Sequence, residues 1–170
     1  MATAGPQRPE LERLVPLDRV GGRGLDIVVE ATEAERAALA RRLAVPAVET
    51  LRCRFRLHRV APGIVDANGE LEARVVRTSV VTLEDFPQDV AEAFQVRFVP
   101  AGQEGGDEDP DAPDEIPHEG TVLDLGETAA EQLALALDPY PREPGATLPE
   151  DSSEPASAPF AALARLRKDS

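Results

Sequence analysis

From Glu49 to Val60 apolar and polar residues alternate with period two. Leu51, Cys53, Phe55 and Leu57 fall on one side, and Arg52, Arg54, Arg56 and His58 on the other. That pattern predicts a half-buried β-strand. Leu11–Val20 predicts an earlier strand, with Pro16 placing it at a sheet edge. Gly21–Gly24 reads as a turn, and Leu25–Glu30, rich in β-branched residues, as a second strand. Thr32-Glu33-Ala34-Glu35 has the spacing of a capping box and predicts a helix to about Leu43, with Ala34, Ala38, Leu39 and Leu43 inward. Pro46 forbids its continuation.

Further along, Asn68-Gly69 predicts a hairpin turn, followed by a long strand over Leu71–Leu83. Glu84–Val90 reads as a bend through Pro87 with a helical turn, and Phe94–Val99 as another strand. Thr121–Leu123 is a short strand. Asp124 is placed to cap a helix that ends before Pro139, with Leu125, Ala129, Leu133 and Leu137 on one face. These elements predict an α+β domain: a strongly twisted antiparallel sheet of five to seven strands, with barrel-like closure as the limiting case, and two main helices.

Charge divides the chain. Residues 1–97 carry 14 Arg+Lys against 15 Asp+Glu, whereas residues 98–170 carry 4 against 17. Half of the residues from Glu104 to Glu119 are acidic and none is Lys or Arg. Residues 101–120 therefore predict an acidic disordered loop, since their charges repel and little apolar surface offsets the entropy of ordering. The expected organisation is one domain over 1–142 containing that loop, a Pro/Ser/acid linker over 143–158, and a short helical motif over 159–168. In that motif Phe160, Leu163 and Leu166 are the apolar positions. A net charge of −14, gathered in the second part of the chain, argues against a generic nucleic-acid binder, which would show a basic stripe. No apolar run approaches the roughly 20 residues that span a bilayer, so a cytoplasmic protein is expected.

Candidate chemistry is sparse. A single cysteine, Cys53, allows no internal disulfide and reads as a small core residue. His58 and His118 have no partners at metal-ligand spacing, and Asp124, Glu127 and Glu131 are explained by capping and a wet helix face. No nucleophile–base pair or phosphate loop is present, so neither catalysis nor a cofactor or metal is expected. Arg52, Arg54, Arg56 and Arg59 are the candidate RNA contacts, because guanidinium groups bind phosphate in bidentate fashion. The other reading is a solvated face paired with acids such as Glu70 and Glu72. Tyr140 and Arg142, with Phe160, Leu163 and Leu166, are candidate partner-binding residues.

The run from Thr121 through Asp124-Leu125-Gly126-Glu127, Glu131 and Leu133 to Asp138-Pro139-Tyr140-Pro141-Arg142 strongly resembles the YceD family, proteins linked to accumulation of large-subunit ribosomal RNA. Its motif positions here are Asp124, Leu125, Gly126, Glu131, Leu133, Asp138 and Pro139. Glu33–Arg36, Val80–Glu84, the acidic loop and Pro159–Ala164 extend the likeness, which takes its alphaproteobacterial form. The resemblance implies a non-enzymatic ribosome biogenesis factor that binds pre-ribosomal large-subunit RNA, a ribosomal or assembly protein, or both. The alternative is an adaptor that holds a basic ribosomal protein without touching RNA. Many members carry cysteines at zinc-like spacing; here Ser79 occupies the strand position and Tyr140–Gly145 has none, so a zinc site is not expected.

Overall fold

The computed structural model describes residues 9–105 and 111–147. Its centre is the alternating segment. β1 (Leu14–Pro16), β2 (Leu25–Glu30), β3 (Ala47–Ala61), β4 (Ile64–Thr78), β5 (Asp85–Pro100), β6 (Asp114–His118) and β7 (Val122–Asp124) frame two helices, α1 (Glu33–Arg42) and α2 (Leu125–Ala136). β2-β3-β4-β5-β6 form one sheet in that order, and β1 pairs with β7 in a second. The large sheet is not closed into a barrel, since β2 and β6 remain its two ends.

Parity decides which side chains enter the core. Leu51, Cys53, Phe55 and Leu57 of β3 are buried, as are Val65, Leu71 and Val75 of β4. α2 lies against this surface with Leu125, Ala129 and Leu133 wholly buried. Burying a leucine of this kind contributes about 1.5–3 kcal/mol. Both predicted caps form. Thr32 Oγ1 accepts from Glu35 N, and Glu35 Oε2 accepts from Thr32 N at 2.8 Å. Asp124 Oδ1 accepts from Gly126 N at 3.0 Å and Glu127 N at 3.1 Å.

Several expectations are corrected. The Asn68-Gly69 turn does not exist: both residues lie inside β4, opposite Arg56 and Phe55 of β3. The chain reverses at Pro62-Gly63, between the paired Ala61 and Ile64, with Gly63 at φ 74°. Proline followed by a positive-φ glycine suits a type II turn. Local Asn-Gly preference loses because Ala67, Gly69, Leu71 and Ala73 keep one unbroken buried face. The long strand expected to reach Leu83 stops at Thr78, and Leu83 itself takes φ 60° in the turn that follows.

The bend at Pro87 is absent as well. Pro87 sits within the sixteen-residue β5, opposite Val76. The first strand contracts to Leu14–Pro16 and passes into a 3-10 turn, Leu17–Arg19. On α1, Ala34 is exposed and Ala40 is buried in its place beside Leu39. Within the acidic stretch, Asp114–His118 is ordered as β6 and runs parallel to β5, so the sheet is mixed. The remainder of the loop at 106–110, the linker from 148 onward and the C-terminal motif with Phe160, Leu163 and Leu166 lie outside the described residues. Among the described residues, no helix is long and apolar enough to cross a membrane.

Candidate functional site

The solvent face of the large sheet carries the arginine row. β3 projects Arg52, Arg54 and Arg56 there, and its neighbours answer with acids. Arg52 sits opposite Glu30 of β2 and Glu72 of β4; Arg54 opposite Val28 and Glu70; Arg56 opposite Asp26 and Asn68. Arg56 Nε donates to Asp26 Oδ1 at 2.9 Å, and this bond holds the Asp26 carboxyl below its usual range. Arg52 Nε lies 3.2 Å from Glu30 Oε1. Farther out, Arg74 bridges Glu49 at 3.0 Å and Asp89 at 3.1 Å. Arg97 grips Asp66 with two bonds, of 2.6 and 3.0 Å.

Arg54 is the exception, with no carboxylate within salt-bridge distance among the described residues. Even so, Glu70 is its direct cross-strand neighbour. Arg59 leaves the row altogether, donating through Nη2 to the Leu17 carbonyl and tying β3 to the 3-10 turn. The face is thus a checkerboard of opposite charges whose fields cancel over a short distance. An exposed phosphate chain would meet carboxylates beside the Arg52 and Arg56 guanidinium groups, and one of the two cross-strand neighbours of Arg54 is also an acid.

A second polar group locks the small sheet and the helices together. Arg13 donates to both oxygens of Glu35, at 2.7 and 2.9 Å, and to the Glu30 carbonyl. Arg13, followed by the Thr32 cap, holds Glu35 down at about 2. Arg42 joins Glu127 at 2.7 Å to Glu10 at 3.0 Å. Gly126 lies so near the N-terminal segment that a Cβ there would stand 2.5 Å from Leu11 O and 2.8 Å from Arg13 N.

The motif positions Asp124, Leu125, Gly126 and Leu133 are therefore structural: a cap, two core side chains and a close backbone approach. Glu131 lies on the outer face of α2, where partial desolvation by its neighbours, followed by the nearby Glu127 charge, raises its carboxyl above the usual range.

Beyond α2, the tail is clamped to the turn after β4. Arg77 Nη2 donates to Asp138 O at 2.6 Å, and Val80 N donates to Pro141 O at 2.9 Å. Asp138 Oδ1 accepts from Tyr140 N, and Pro139 stays exposed. Arg77 is 7% exposed, and desolvation lowers its pKa. Sequence reading passed over Arg77, although its parity with Leu71, Ala73 and Val75 places it on the inner face. Tyr140 is 69% exposed and Arg142 is also outward. A groove of about 490 Å³ beside this clamp is lined by Leu43, Val45, Pro46, Val80 and Leu137.

Cys53 is fully buried, and desolvation pushes its thiol up to about 12. His118 Nε2 donates to Gly63 O at 2.7 Å. No three His, Cys, Asp or Glu side chains among the described residues converge on a metal-sized site.

A family model described as large ribosomal RNA subunit accumulation protein YceD matches residues 67–167. No curated protein and no solved structure matches the chain.

Proposed function

The chain belongs to the YceD family of large ribosomal RNA subunit accumulation proteins, and from that premise we propose that it supports large-subunit assembly in the cytoplasm by holding a basic protein. Binding, not catalysis, is its contribution. Family membership supports the role in large-subunit ribosomal RNA accumulation. The choice of protein over RNA rests on one observation: the guanidinium groups of the sheet face stand among carboxylates of adjacent strands. A phosphate backbone gains affinity from unneutralised Lys and Arg, and that face offers few. A net charge of −14, concentrated in residues 98–170, favours basic partners over nucleic acid.

The test is association of the tagged full chain with pre-ribosomal particles, with and without nuclease. Association that survives RNA digestion and weakens with added salt supports the proposal. Association lost on digestion overturns it in favour of direct RNA contact.

A further inference from the structure

Among the described residues, no strand lies beside one flank of β5 between Asp85 and Gln95. β4 pairs with the other flank from Asp85 to Phe98, but β6 joins only at Val96–Pro100. Alternate main-chain N–H and C=O groups of this stretch face away from β4. From Asp85 to Phe94, no main-chain group meets a further backbone partner among the described residues beyond the pairing with β4. Ala91, Glu92 and Ala93 are all exposed, although consecutive residues point to opposite faces, so the sheet margin is bare on both sides. Pro87, which lacks an N–H, closes one end of the usable edge. At the other end a cleft of about 630 Å³ opens where β6 begins. Gly69, Ala93 and Phe94 line it with Glu70 and Asp114, and no basic residue lines it among the described residues.

We propose that this edge is a strand-addition site for an extended segment of a basic protein. The segment pairs with Gln88–Gln95, end to end with β6, and places a Lys or Arg side chain in the acidic cleft. The inference rests on the protein-binding reading above and deepens it. Main-chain hydrogen bonds supply affinity in such complexes, and alternate side chains supply selectivity. Charge selects the occupant. A second copy of this chain would bring Asp89 and Glu92 against their own kind at the seam, which is how natural edges resist self-pairing. A phosphate backbone would meet the carboxylates of the cleft without gaining the strand pairing.

The experiment uses the full-length chain and three synthetic peptides. The first alternates Lys and Val; the second is the same peptide with alternate amides N-methylated; the third alternates Glu and Val. The first peptide is expected to slow amide exchange at residues 88–95. The methylated twin, which keeps the charge and loses the pairing, should bind at least about tenfold more weakly, and the acidic peptide should not bind. Ala93→Pro should abolish binding, and Glu70→Lys with Glu92→Lys should weaken it about tenfold while leaving the fold intact by circular dichroism. Equal binding of the methylated twin, or protection confined to another surface, overturns the proposal. Failure of the underlying reading looks different: wild-type association with particles is lost on RNA digestion. If that association persists and both edge variants retain it, the edge proposal alone is overturned.

Discussion

Phe94 stands over Gly69 so closely that a Cβ added to Gly69 would lie 2.1 Å from Cζ of the ring. The ring also meets Phe55 edge-on, with centroids 5.8 Å apart and planes at 78°. Glycine is required there for space, not for a turn. Phe94 is half-buried and can swing partly aside. Gly69→Ala is therefore expected to cost about 1–2 kcal/mol in urea unfolding. Gly126→Ala opposes backbone atoms of Leu11 and Arg13, which cannot swing away. It should cost about 3 kcal/mol or more.

Glu35 gives the fold an acid-sensitive element. Its folded-state carboxyl titrates at about 2, against an ordinary value of 4.5, chiefly because of Arg13. Because the folded value is the lower one, its contribution is complete above about pH 4.5 and is lost as pH falls toward 2. Glu35→Gln is expected to lower stability at pH 7 and to flatten the acid limb between pH 4.5 and 2. Urea midpoints measured across that range check it.

Cys53 should be inert. Burial raises its thiol to about 12, so little thiolate exists at pH 8 and no reagent reaches it. A disulfide-exchange reagent at pH 8 is expected to leave the native chain unmodified and to react with one thiol per chain in urea.

Arg54→Glu separates the two uses of the sheet face. Under the protein-holding proposal it leaves particle association and ribosome profiles unchanged within about twofold, since Arg54 is one cation among neighbouring acids. A tenfold loss of RNA association would return that face to RNA binding.

Burial parity was legible from Leu51 to His58 of β3, and both helix caps were readable from single spacings, because each depends on residues close in sequence. The Asn68-Gly69 error arose where local turn preference opposed a long-range requirement, the packing of Phe94 from a strand 25 residues away. Pro87 was misread for a similar reason: a proline is tolerated where a strand lacks a second neighbour, and only the tertiary structure shows that β6 stops short of it. The arginine row was visible; its neutralisation was not, apart from the anticipated Glu70 and Glu72. Asp26 and Glu30 become partners through the β2–β3 register, which no spacing within β3 encodes.

The parallel placement of β6 has a consequence for how this chain tolerates change in length. After Pro100 the polypeptide must travel back along the paired segment before it can resume the same direction at Asp114. That return covers roughly 14–17 Å for five paired residues. A two-residue reversal cannot make it. The acidic connector thus has a floor on its length set by geometry but only a slowly rising entropic penalty for growth. Insertions there should be absorbed, while deep deletions should force the β6 segment either to detach or to reverse its polarity.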